Sequence, residues 1–129
     1  MWLEYFTFLT SYFILDMLWI KLSAPYHKGV IENIQKSPLS INMVSGTIYY
    51  LALSFLIIYA LTRFTKTNSE WFILGFVMAL AMFLTFDITN KTIFSAYPYW
   101  YAMMDVAGGV SSIMIALLIT WYICSTRLE

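Results

Sequence analysis

Three aspartates stand inside apolar stretches of this chain, and they have the most chemistry to offer. Asp16 lies in Leu15-Asp16-Met17-Leu18-Trp19-Ile20, Asp87 in Phe86-Asp87-Ile88-Thr89-Asn90, and Asp105 follows Met104 and precedes Gly108-Gly109. A carboxylate at the centre of a bilayer costs on the order of 2.5–3.5 kcal/mol, and less nearer the surface. Acids kept at that cost can exchange protons, offer oxygen ligands to a hard cation, or act as general acid and base. Each also has a plainer reading. Asp16 alone could be glue between helices, and Lys91, four residues after Asp87, could make a structural ion pair with it.

The elements that must position these acids are apolar runs of spanning length, which need roughly 20 residues each. Four stretches qualify: Trp2 to Ile20, Ile41 to Leu61, Trp71 to Phe94 and Tyr97 to Cys124. Length and aliphatic content predict helices, because membrane β-strands would be shorter, more numerous and alternating. The chain is 61% hydrophobic and 11% charged. A soluble domain is nearer 45–50% apolar and about 25% charged, so this chain needs the bilayer as its solvent. The expected fold is all-α: one four-helix transmembrane domain over residues 1–129, read as two helical hairpins of the same orientation. Met1-Trp2-Leu3-Glu4 lacks the basic start of a secretory signal, so the first run is expected to be a retained span.

Counting inward from the span ends places all three aspartates roughly 9–12 Å below one surface, at 1.5 Å per residue. That surface is the side of the connection from Lys21 to Ser40. The opposite halves of the spans hold almost no ionisable groups. The expected result is an acidic basin open to one leaflet and closed beneath by apolar packing. Helical spacing supplies its walls. Tyr12 and Trp19 share a face with Asp16, Asn90 and Lys91 follow Asp87, and Tyr101, Gly108, Gly109 and Ser112 share a face with Asp105. The second span brings Thr47 and Tyr50 to similar depth. The candidate ligand-binding set is Asp16, Asp87, Asn90, Asp105, Trp19, Thr47, Tyr50 and Lys91, with no residue assigned a catalytic role. Lys21 could reach Asp16 by snorkelling. Asp105 has no lysine or arginine within a helical turn and is the candidate proton carrier or general acid.

Other chemistry is hard to find. The sole histidine, His27, falls in the long connection and is expected to be solvated. One histidine and one cysteine, Cys124, give no zinc or haem set, so no metal and no cofactor are expected. No phosphate loop, dinucleotide fingerprint or hydrolase triad is present, and a net charge of zero gives no field for nucleic acid. Basic residues are split almost evenly between the two sides, so the positive-inside rule does not orient the chain. Aromatic residues crowd the span ends as an interfacial belt. The Lys21–Ser40 connection carries Val30-Ile31 and Ile34 at helical spacing, which suits a short interfacial helix. A possible internal repeat pairs Asp16, Lys21 and Ser23-Ala24-Pro25-Tyr26 with Asp87, Lys91 and Ser95-Ala96-Tyr97-Pro98-Tyr99, and chance similarity between apolar segments stands beside duplication.

On the segments around Asp16, Phe86-Asp87-Ile88-Thr89-Asn90 and Met104-Asp105 with Gly108-Gly109, the chain resembles the family of small predicted membrane proteins catalogued as domain of unknown function 2177. The resemblance covers nearly the whole chain. The family commonly has tyrosine where Phe86 stands and a tryptophan-glycine pair where this chain has Ala107-Gly108. It implies four spans and no settled activity. From the residues, the first expected function is binding and passage of a small cation or proton, in the manner of a channel or transporter. An embedded enzyme or binding protein for a lipid or isoprenoid is the second, and an accessory membrane subunit the third. The expected partners are the bilayer, a small cation or lipid-like ligand, and further copies of the chain, since an oligomer is one way to complete a polar path.

Overall fold

The computed structural model describes residues 1–124; Arg127, counted in the charge balance above, lies outside them. The described chain is four helices: α1 (Trp2–Gln35), α2 (Met43–Phe64), α3 (Asn68–Ile93) and α4 (Tyr99–Cys124). All four are long and apolar enough to cross a membrane, so the protein is an all-α, multi-pass integral membrane protein. Helix α1 packs against α2 and α4, and α3 against α4 and, less extensively, α2. The helices therefore stand at the corners of a square, with α1 diagonal to α3.

Local chemistry sets the helix ends. Asn42 caps α2 by accepting the Ser45 amide at 3.0 Å. Thr67 and Glu70 form a capping box on α3: the Thr67 hydroxyl accepts the Glu70 amide at 3.2 Å, and Glu70 Oε2 accepts the amides of Lys66 and Thr67. These bonds satisfy amides that have no partner within the helix. Thr67→Ala removes one of them and is expected to lower stability by about 1 kcal/mol, read as a lower thermal midpoint in detergent.

The largest departure from the sequence reading is α1. The connection expected from Lys21 to Ser40 is helical as far as Gln35 and passes through Pro25 without a break. Proline removes an intrahelical donor and disfavours helix, but packing outweighs it here. Val30 is buried against Tyr97, Tyr101 and Ala102, with Ile34 packed beside them. These contacts hold the overhang of α1 across the start of α4. The helix stops at Lys36, whose left-handed backbone (φ 55°) closes the last turn, its amide bonding the Glu32 carbonyl at 2.9 Å. The overhang also ends the repeat: Ser23-Ala24-Pro25-Tyr26 is helix, whereas Ser95-Ala96-Tyr97-Pro98 is the turn between α3 and α4.

Away from the overhang the interior is mostly apolar, with Ser54 and Thr120 fully buried among the hydrophobic side chains. Phe8, Ile57, Ile58, Leu61, Ala79, Ile113, Ala116 and Leu117 are at most 1% exposed and form one cluster. The outward faces carry Leu22, Ile41, Met43, Phe64 and Ile93, each 66% or more exposed in the isolated chain. That apolar exterior suits lipid and would be untenable in water. Close helix contacts depend on missing side chains. A Cβ on Gly75 would meet Leu117, one on Gly108 the Trp19 indole, and one on Gly109 the Phe83 ring. Small residues at such crossings let helices approach without a hydrophobic driving force.

Candidate functional site

All three aspartates point into the bundle, on three helices. Asp16 on α1 is 7% exposed and Asp87 on α3 is fully buried. Asp105 on α4 keeps 18% of its side chain exposed. Exposure therefore falls from Asp105 inward to Asp87.

Each acid has a different set of partners. Tyr50 of α2 donates its phenol to Asp16 Oδ2 at 2.6 Å. Tyr97, from the turn before α4, donates to Asp87 Oδ1. Phenols held this way fix one oxygen of each carboxylate and replace the water lost on burial. Among the described residues Asp105 has no such phenol. Its carboxyl sits near the Trp19 indole and the Asp87 carboxyl and is electrostatically coupled to Asp16. His27 approaches it from the overhang, with Nε2 4.0 Å from Asp105 Oδ1. The other ring nitrogen, Nδ1, shares a hydrogen bond of 2.5 Å with the Tyr101 hydroxyl, which fixes the ring's direction. Three buried atoms here make no close hydrogen bond among the described residues, Trp19 Nε1, His27 Nε2 and Asp87 Oδ2, and the Trp19 indole and the Asp87 carboxyl interact instead, at longer reach, with the Asp105 carboxyl. All three belong to residues that neighbour Asp105.

Tyrosines extend the polar zone on the α1–α2 side. Tyr12, fully buried one turn below Asp16, shares a 2.8 Å hydrogen bond with the Tyr49 hydroxyl and packs edge-on against Tyr50. The acids thus divide into a tyrosine-bound Asp16 and a pair, Asp87 with Asp105, under the overhang of α1.

The expected wall residues fare unequally. Trp19 and Tyr50 stand at the acids, as described. Asn90 is half-buried one turn beyond Asp87. Lys91 makes no ion pair with Asp87. Its Nζ donates to the Ser95 carbonyl at 3.2 Å and lies 5.1 Å from the centre of the Tyr99 ring, because it sits at the last turn of α3, where unpaired carbonyls and the interface lie closer than the buried acid. Thr47 is exposed, and its hydroxyl bonds back to the Met43 carbonyl at 2.9 Å. Lys21 is exposed, and Asp16 takes its bond from Tyr50 instead.

Two groups at the site were read otherwise from sequence. His27 was placed in a solvated loop, and Tyr97 in the interfacial belt. The signal for His27 was present: it lies eleven residues after Asp16, about three full turns, and so on the same face if the helix continues. Pro25 obscured that continuity. Tyr97 carried no such signal, since its reach depends on how the turn before α4 folds back.

Neither of two surface clefts formed by the described residues is lined by one of these acids. The chain matches no curated protein and no solved structure. A family model described as a predicted membrane protein matches residues 1–122, a span that includes all four helices almost entire and every residue of the acidic site. The protein is a member of that family, domain of unknown function 2177.

Proposed function

We propose that the acidic basin takes up and releases a proton from the side of the α1 overhang, and that the protein couples this exchange to movement of a small cation or the proton itself across the membrane. The observation that carries this reading is the gradient of exposure at the paired carboxyls. Asp105 is partly open and, among the described residues, has no phenol fixing it, while Asp87 beside it is fully buried with one oxygen that makes no close hydrogen bond and faces Asp105 at longer reach. Carboxyls at such close quarters titrate as a unit, so a proton arriving at Asp105 belongs to the pair. His27, with one nitrogen fixed by Tyr101 and the other turned toward Asp105, is placed to pass protons to and from the interface. The groups against the acids are mostly donors: Tyr50, Tyr97 and the Trp19 indole. A metal cation would need oxygen acceptors at those positions, whereas a proton needs no coordination shell.

Proton flux in liposomes containing the purified protein tests this. Wild type is expected to dissipate an imposed pH gradient, and Asp105→Asn, which keeps shape and removes the exchangeable proton, to slow dissipation by about a hundredfold, in line with the worth of a positioned proton carrier. Equal rates for the two proteins, or no flux from wild type under any gradient, would remove the reading. A second reading, binding or conversion of a lipid or isoprenoid, draws support from the Trp19 indole N–H, which is buried beside Asp105 without a close hydrogen bond and could donate to a headgroup oxygen. Its test is the membrane lipid composition of cells with and without the protein; an unchanged composition counts against it.

A further inference from the structure

The end of the bundle far from the acids carries a cleft of about 380 Å³, where α1 begins, α4 ends and α2 turns into α3. Glu4, Thr62, Lys66, Asn68, Trp71 and Trp121 are among its lining residues. Two tryptophans at a helix-end cleft place it at the membrane–water boundary, where indoles gather.

The lining is rich in donors. Lys66 is exposed and enters no ion pair among the described residues. Helix α3 starts at the cleft. Its capping box takes up the amides of Lys66, Thr67 and Glu70, whereas the Asn68 amide, first in the helix, has no acceptor within it. The positive end of a 26-residue helix therefore stands here. Trp71 adds an indole nitrogen that is buried with no hydrogen-bond partner among the described residues. The acid on this lining, Glu4, meets the Met1 amino group at 2.5 Å. A cation, a helix start and an unsatisfied N–H suit the oxygens of a phosphate.

The neighbouring surface says what carries that phosphate. An apolar groove of about 390 Å³ is lined by Phe72, Met114, Ile115 and Leu118. Met114, Leu118 and Trp121 recur at intervals of four and three residues and share one face of α4, so the groove runs from Trp121 toward the middle of the bilayer. Trp121 is the wall common to both. Its indole N–H donates to Asn68 Oδ1 at 3.0 Å beside the cleft, and its ring centre lies 6.0 Å from that of Phe72 beside the groove. We infer that cleft and groove form one phospholipid site, with the phosphodiester at Lys66, the Asn68 amide and the Trp71 N–H, and one acyl chain along Phe72, Leu118 and Met114. The site lies at the opposite end of the bundle from the acidic basin and does not depend on proton exchange there.

Native mass spectrometry of the full chain in detergent tests it, each variant first checked for native helicity and a single peak on size exclusion. Dioleoyl phosphatidylglycerol is the probe, and wild type should retain one molecule per chain. Lys66→Gln should weaken retention by about tenfold, the worth of one charge-assisted hydrogen bond. Leu118→Trp, which fills the groove from an exposed position, should weaken it several-fold, while Lys28→Gln at the other end of the bundle should leave it unchanged. Dioleoylglycerol, with the same chains and no phosphate, should bind at least tenfold more weakly, and glycerol phosphate, with no chains, should compete poorly. Equal retention by wild type, Lys66→Gln and Leu118→Trp would place the lipid elsewhere and overturn the inference. Dioleoylglycerol bound as tightly as the phospholipid would show that the cleft reads no phosphate. Glycerol phosphate competing as well as the lipid, or Leu118→Trp binding like wild type while Lys66→Gln does not, would leave a bare anion site and refute the joined one.

Discussion

Asp87→Ala is expected to destabilise the protein by about 2–4 kcal/mol, the largest loss for any single exchange at the basin. Asp87 is fully buried, and the Tyr97 phenol, itself only 3% exposed, donates to it. Truncation leaves that phenol without an acceptor, which costs about 1–3 kcal/mol, and adds a small cavity that the packed helices cannot close. Asp87→Asn keeps an oxygen where Tyr97 needs one and is expected to stay within about 1 kcal/mol of wild type. The two substitutions therefore separate holding the turn from exchanging a proton. Thermal unfolding in detergent measures the first effect. If alanine were tolerated as well as asparagine, the Tyr97 bond would carry little of the structure, and the turn before α4 would be held by packing alone.

The second large effect is expected at the glycines of α4. A Cβ on Gly109 would meet the Phe83 ring, as one on Gly108 would meet the Trp19 indole. Gly109→Val should force α3 and α4 apart and destabilise by about 1–3 kcal/mol, the usual penalty for overpacking. Gly108→Val should cost a similar amount and also displace Trp19 from Asp105, so its proton exchange should fall while that of Gly109→Val is better preserved. Gly46 is the control. It lies within α2, and a Cβ there meets nothing within 4 Å. Gly46→Ala is expected to stabilise by about 0.5–1 kcal/mol, because alanine loses less backbone freedom in a helix. A loss of stability for Gly46→Ala matching that for Gly109→Val would contradict both the open space at Gly46 and close packing as the source of the cost at Gly109.

The number of helices and the polar level were legible because the bilayer imposes both. Spanning length and apolar content mark each helix, and a carboxylate inside an apolar run stands out by its cost. Depth follows from counting residues, so Asp16, Asp87 and Asp105 could be placed before any geometry was known. Which groups answer the acids was not legible, because that depends on helix rotation and on the folding of connections. Lys91 stands four residues after Asp87 but turns to the Ser95 carbonyl and the Tyr99 ring. Tyr97 reaches Asp87 across the turn, ten residues on in sequence. Tyr50, expected at the right depth, proved to be the donor to Asp16. Thr47, one turn earlier on the same helix, is exposed and satisfied by its own backbone. The fate of His27 turned on a single proline. Pro25 is a sound signal for a helix end in isolation, and the contacts of Val30 with Tyr97 and Tyr101 overrule it.

The central claim is that the paired carboxyls under the α1 overhang exchange a proton through Asp105. Infrared difference spectroscopy on the reconstituted protein addresses it directly, because a protonated carboxyl absorbs apart from an ionised one. Difference spectra taken across a pH titration should show a protonated-carboxyl band that rises and falls reversibly. In Asp105→Asn that band should be lost or displaced, since the pair shares the proton. A wild-type protein whose carboxyl bands do not change over the range in which it stays folded, or an Asp105→Asn protein with the same titrating band, would contradict the account.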